Sequence, residues 1–196
     1  MRVQRFKKLA GQRSMRVGAA AAVILAGGGT AVAVASQSAN ASPAHVRSHE
    51  SASTAATVRE LTDVHDIEQL KAGYFRDIDT KQWAELQARF TPDAHINTGQ
   101  QFNSPAALVK ASKALIGDAP TAHQGFLPEI TVNGDVATGT WAMEDYVNLK
   151  AGGGFHGYGE YHDTYKRVHG HWYISGSDLT RFRLDTLPDQ SASPKG

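Results

Sequence analysis

Between Ile67 and Trp83 the sequence reads IEQLKAGYFRDIDTKQW, and there a tyrosine and an acid stand on a surface otherwise built for burial. Ile67, Leu70, Tyr74, Phe75 and Ile78 recur at the spacings that line one side of an amphipathic helix. Asp79 follows Phe75 by four residues, on the edge of that stripe. A carboxylate there must be paired, solvated by a cavity, or shifted in its proton affinity, so the pattern points to a pocket. A second acid repeats the anomaly. In the run Val136 to Leu149, strict alternation places Ala137, Gly139, Trp141, Met143, Asp145 and Val147 on one face, with Glu144 on the other. Asp145 is then either solvated at a strand end or paired with an arginine such as Arg181. His123 stands just before an expected strand and His156 just after the triple glycine 152–154. Side chains of these types exchange protons near neutral pH.

Other chemistries are poorly supported. The histidines lack the spacing of a metal site, and His162, His169 and His171 are spread by turns and alternating faces, so no metal ligands are assigned. No glycine-rich loop joins a strand to a helix, which disfavours nucleotides, and no serine lies in a nucleophile elbow.

The elements that must position these groups follow from periodicity. Thr62-Asp63 can cap a helix to about Ile78, and a short helix from Trp83 to Phe90 follows, stopped by Thr91-Pro92-Asp93. Ala94 to Asn97 reads as a short strand. Ser104-Pro105 opens a third helix to about Ile116. The period then changes to two: Phe126–Val132, Val136–Leu149, Phe155–Val168 and His171–Leu184 read as four long strands, the first pair joined at Asn133-Gly134. Three helices followed by a meander of strands make an α+β domain, the helices packed on one face of a curved antiparallel sheet.

Composition frames this domain. Residues 1–41 read as a signal peptide, with Arg2, Arg5, Lys7, Lys8, Arg13 and Arg16 ahead of an apolar run and a small-x-small site at Ala39-Asn40-Ala41. Cleavage after Ala41 would make the protein secreted and extracellular, by the general route because no twin-arginine pair is present. Retention of the segment as a membrane anchor is the alternative. Cleavage removes six of the twenty basic residues and none of the nineteen acids, leaving 14 minus 19, a charge of −5, which argues against nucleic acid. There is no cysteine, so no disulfide can brace the exported fold. Residues 42–57 read as a flexible lead-in, 58–187 as the domain and 188–196 as a disordered tail.

The segments IEQLKAGYFRDIDTKQW, HQGFLPEITV, ATGTWAMEDYV and YHDTYKRVHGHWYISGSDLTRFR together resemble the SnoaL-like family of the nuclear-transport-factor-2-like (NTF2-like) superfamily, in order and across nearly all of residues 58–185. The resemblance implies a cone: a strongly bent sheet wrapped around helices, with a deep pocket at one end. Among cofactor-free dehydratases of that superfamily, the bile acid 7-alpha-dehydratase pattern matches Tyr74, Asp79, His123, Asp145 and Arg181. The scytalone dehydratase pattern matches Asp79, His123 and His156 but has tyrosine where this chain has Ile78. The implied catalytic set is Tyr74, Asp79, His123, Asp145 and His156, with Arg181 and Trp141 toward the substrate. The implied reaction is loss of water from a polycyclic, polyketide-like or steroid-like ketone, without cofactor. His123, oriented by Asp79, would take the α-proton, Tyr74 would donate to the enolate oxygen, and His156 or Asp145 would assist the leaving hydroxyl. A double-bond isomerase or a small-ligand binder without catalysis stays open on the same pocket. The aromatic area of Trp141, Trp172, Tyr146 and Tyr173 points to an exposed sheet face and to a homodimer or homotrimer.

Overall fold

The structure, a computed structural model, describes residues 43–188, with side chains described from residue 51. The expected signal peptide, its cleavage site and the tail beyond 188 lie outside the described residues. In chain order the elements are α1 (Pro43–Asp79), α2 (Trp83–Ala88), β1 (Phe90–Asn97), β2 (Gln101–Phe102), α3 (Pro105–Leu115), β3 (Thr121–Asn133), β4 (Val136–Asn148), β5 (Gly154–Val168) and β6 (His171–Leu187). The strands form one six-stranded curved sheet in the order β2-β1-β6-β5-β4-β3, with helices packed on it. Every pairing is antiparallel except β1 with β6, which is parallel.

The buried stripe of α1 is the one its spacing predicts. Ile67, Tyr74, Phe75 and Ile78 are all sealed in the core, each apolar side chain adding roughly 1.5–3 kcal/mol by burial. The helix start differs. It lies at Pro43, not near Thr62, because a helix nucleated in the packed segment propagates at little cost even without an apolar stripe. Val58 and Leu61 stay exposed there. Thr62 is mid-helix, its hydroxyl donating to the Val58 carbonyl, and Asp63 caps nothing. Asp63 is buried instead, paired with Arg167 and accepting from Trp172 Nε1 at 3.1 Å.

Two further boundaries move. The second helix ends at Ala88, and β1 begins at Phe90 and runs through Thr91-Pro92-Asp93. Pro92 is tolerated because the β1–β6 register shifts between Phe90 and His95, where no ladder hydrogen bond is lost. Strand β3 starts at Thr121, five residues earlier than its periodicity suggests, which puts His123 inside the strand. The third helix agrees with its signals: Ser104 Oγ accepts from the Ala107 amide at 3.2 Å and Pro105 follows in the first turn.

Bulges decide which side chains face inward. On β6, Trp172 and Ile174 are buried at even positions, whereas Ser177 and Leu179 are buried at odd ones. The change of phase falls at the register shift where Thr164 pairs with Gly176 and Tyr165 with Ile174. Without the extra residue there, Arg181 would lie on the outer face. Strand β3 carries a similar shift between Phe126 and Glu129, with Leu127 at φ 51° beside it.

Trp141 and Trp172 are both buried, so they add nothing to an exposed face. The outer side of the sheet carries Tyr146, Tyr158 and Tyr173, with Phe126 exposed on β3. No helix among the described residues is long and apolar enough to cross a membrane.

Candidate active site

Asp79 is the last residue of α1, and its position at the helix end lets its carboxylate reach over the start of β3. Three donors meet it. His123 Nδ1 lies 2.7 Å from Oδ1, the His123 amide donates to Oδ2 at 2.8 Å, and the Thr121 hydroxyl donates to Oδ1 at 2.8 Å. Lys81 Nζ donates in turn to Thr121 Oγ1 at 2.8 Å. Burial alone would raise the pKa of Asp79, but the hydrogen bonds from His123 and Thr121 outweigh it and hold the carboxyl below its ordinary range. Asp79 is therefore a stable anion, fitted to orient the imidazole rather than to carry a proton away. With Nδ1 committed to Asp79, Nε2 is left as the working nitrogen, and no described residue hydrogen-bonds it. The His123 side chain is 9% exposed and that of Asp79 22%, so the pair sits at the rim of the core.

Sheet pairing brings the rest of the constellation together. His123 is directly opposite Asp145 on the neighbouring strand, and both point inward. Asp145 is opposite Gly157 on β5, and Gly159 is opposite Arg181 on β6. Arg181 grips Asp145 through two nitrogens, Nη1 to Oδ1 at 2.9 Å and Nη2 to Oδ2 at 2.6 Å. Burial pulls the guanidinium toward neutrality, yet the Asp145 hydrogen bonds prevail and hold it more firmly protonated. Gly157 makes this pair possible: a Cβ there would come within 2.0 Å of Arg181 Nη1 and 2.3 Å of Asp145 Oδ1.

Tyr74, His123, Asp145 and Arg181 line one cavity, with Ile78, Leu108, Val147, Phe155, Tyr161 and Leu179 as its chiefly apolar wall. Counting the part open to solvent, the space among these side chains is about 570 Å³. The Tyr74 phenol is pushed well up, first by burial and then by nearby carboxylates, so it remains a hydrogen-bond donor across the useful pH range.

The structure thus brings together Tyr74, Asp79, His123, Asp145 and Arg181. It does not bring in His156. Inward residues of β5 are the odd ones, among them Gly157, Tyr161, Asp163 and Tyr165, and His156 falls opposite Tyr146 on the outer face. There its Nε2 lies 2.6 Å from Glu144 Oε1 and its ring stacks on Tyr158 with centroids 4.6 Å apart. Trp141 faces inward but lies in the core beside the cavity, its Nε1 donating to the Tyr165 hydroxyl at 2.9 Å, so it does not line the substrate space. Asp145 has both oxygens engaged by Arg181 and is placed as an acceptor and anchor, not as the acid for a leaving group. Two inner residues went unread in the sequence, Tyr161 on the cavity wall and Lys71 beneath it. Their signals were alternation along β5 for the tyrosine and the i, i+4 spacing from Ile67 for the lysine. Among the described residues no group of three His, Asp or Glu side chains converges to hold a metal.

The model of the SnoaL-like domain family matches residues 59–178. Among solved structures, a provisionally named scytalone dehydratase from Novosphingobium aromaticivorans DSM 12444 is 19% identical, with 67% of this chain and 96% of that one covered at a TM-score of 0.60. A type-3 hexachlorocyclohexane dehydrochlorinase from Novosphingobium barchaimii LL02 is 18% identical, covering 67% and 94% at 0.60. An NTF2-like protein with a cystatin-like fold, also from Novosphingobium aromaticivorans, is 20% identical, covering 66% and 88% at 0.58. At these identities the solved structures speak for the fold alone.

Proposed function

The chain belongs to the SnoaL-like domain family, and we propose that it is a cofactor-independent lyase removing water from a polycyclic β-hydroxy ketone. The observation that carries this is the Asp79–His123 pair, with Nδ1 tied down in a histidine that lines the cavity. In the proposed reaction Nε2 takes the proton α to the carbonyl, and the electron pair moves onto the carbonyl oxygen as an enolate. Tyr74 donates to that oxygen. The enolate then re-forms the carbonyl, a carbon–carbon double bond appears, and the β carbon–oxygen bond breaks. With His156 on the outer face and Asp145 held by Arg181, the imidazolium of His123 is the acid at hand, so it returns its proton to the departing hydroxyl and water leaves. One group serving as base and then acid requires both events on one face of the substrate. Names of two solved structures with this fold, a dehydratase and a dehydrochlorinase, describe eliminations of the same type. The apolar wall favours a polycyclic, polyketide-like or steroid-like ring system.

For the test, the purified protein is given cyclic β-hydroxy ketones and the enone is followed by absorbance. His123→Ala and Asp79→Asn should lose nearly all turnover while keeping the native circular dichroism. Turnover surviving in both would sink the mechanism. We further propose that the protein is secreted after removal of its first 41 residues and that copies associate through the outer sheet face as a homodimer or homotrimer. Peptide mass mapping of secreted protein and light scattering check these two points.

A further inference from the structure

Beneath the cavity the structure seals an ion pair that the proposed reaction does not use. Lys71 and Asp163 both have fully buried side chains, and Lys71 Nζ lies 2.6 Å from Asp163 Oδ2 without the angle of a directed hydrogen bond. Asp163 is fixed from two other sides, by the Tyr165 hydroxyl at 2.8 Å and the Ser177 hydroxyl at 2.7 Å. The lysine is enclosed by rings: Nζ is 3.8 Å from the centroid of Tyr161, 4.7 Å from Tyr74 and 5.2 Å from Phe75. A buried pair of this kind is expensive to desolvate, and apolar residues of the same volume usually hold a fold as well or better. Its place therefore calls for a reason beyond stability, and the residues it touches supply one. Tyr74 and Tyr161 meet edge to face with centroids 6.1 Å apart, and both line the cavity.

We propose that Tyr161 is a second hydroxyl donor of the cavity, sharing with Tyr74 the charge of an enolate or phenolate oxygen, and that the sealed Lys71–Asp163 pair is its positioning device. The inference rests on the lyase reading for its reaction but not for its ligand chemistry. A cation under the face of a phenol ring is attracted to its π electrons and draws charge from the hydroxyl, which makes that hydroxyl the stronger donor. Lys71 is wholly enclosed and cannot reach a ligand, so it acts only through the ring above it. Asp163 keeps Nζ under that ring. Burial and the neighbouring carboxylates push the Tyr161 phenol well up, so the hydroxyl keeps the proton it donates.

The probe is 4-nitrophenol, whose absorbance separates phenol from phenolate, set against 4-nitroanisole, which has a similar shape and no ionisable oxygen. The full-length protein should bind the phenolate in preference to the phenol. Tyr161→Phe should weaken phenolate binding about tenfold or more, the size of one hydrogen bond to a charged group, and leave nitroanisole unchanged. Lys71→Met should do the same, and the double variant should lose no more than either single one, because the lysine acts through the tyrosine. Additive losses, equal losses for both probes, or no loss would overturn the proposal. Should Lys71→Met not fold, Lys71→Met with Asp163→Leu removes both buried charges and carries the same expectation. Turnover of a β-hydroxy ketone is measured alongside. Selective phenolate binding without turnover would uphold this inference and sink the lyase reading; turnover with no effect of Tyr161→Phe on phenolate binding would do the reverse.

Discussion

Two acid–base pairs bridge the same helix and the same sheet, and their surroundings give them opposite characters. Asp79 and His123 meet at the rim of the core, bound by directed hydrogen bonds and with one ring nitrogen uncommitted. Lys71 and Asp163 meet in its interior, with no exposed atom and three rings closing over the amine. Eight residues of one helix separate Lys71 from Asp79, a little over two turns. Access, more than residue type, decides whether a pair can move a proton to a ligand. The open pair can do so, whereas the sealed pair can only hold its neighbours in place.

The largest expected difference between the two pairs is in stability. Asp163→Ala leaves a buried ammonium without its partner and should cost about 3–5 kcal/mol in urea unfolding. Asp79→Asn should cost far less, because its partners remain partly solvated. If the two variants were equally destabilised, the distinction between sealed and open pairs would fail.

A smaller effect is expected at Gly157. A methyl group there collides with Arg181 Nη1 and Asp145 Oδ1, so Gly157→Ala should part the two residues or push the strand outward, at about 1–3 kcal/mol. Turnover should drop with it, while Gly134→Ala, where a Cβ meets nothing within 4 Å but φ is 64°, should affect stability alone. Comparing unfolding curves and rates for the two variants separates packing at the site from backbone strain in a turn.

The smallest expected effects are in the pH dependence of stability, and the two pairs differ there in sign. Asp79 has a lowered native proton affinity, so its contribution is present above the ordinary carboxylate range near ~4 and is lost as pH falls through the lower native value. In Asp79→Asn the acid limb of the stability curve should be shallower. Lys71 is lowered too, chiefly by burial, with Asp163 opposing. Between its native value and the ordinary lysine value the unfolded chain binds the extra proton, so stability rises with pH there. That rise should vanish in the variant carrying both Lys71→Met and Asp163→Leu. Urea midpoints taken across the pH range read both limbs.

Much of this arrangement was legible in the sequence, for reasons specific to each residue. Simple alternation along Val136–Asn148 put Asp145 on the inner face, and the 3.6-residue period put Tyr74 beside Ile78. The same alternation, applied from Tyr161 and Tyr165 back to His156, places that histidine outside, and the resemblance to a scytalone dehydratase pattern overrode it. Arg181 could be suggested as a partner but not placed, because its side of the sheet depends on an extra residue near Ser175 that no turn signal marks. Lys71 was hidden by its charge: a lysine on an apolar stripe reads as a solvated edge until the sheet shows Asp163 waiting for it. The start of α1 was missed because a helix can propagate from a packed segment without any buried face of its own.

The proposed mechanism turns on the state of one imidazole ring. In that mechanism Nδ1 of His123 carries the proton donated to Asp79, leaving Nε2 to take a proton from the substrate. Ring nitrogen NMR of His123 in its neutral form measures this without any substrate, because protonated and bare ring nitrogens resonate far apart. The Nδ1–H tautomer should dominate in the native protein and lose that dominance in Asp79→Asn. A dominant Nε2–H tautomer, or a ring spectrum unchanged by Asp79→Asn, would contradict the mechanism.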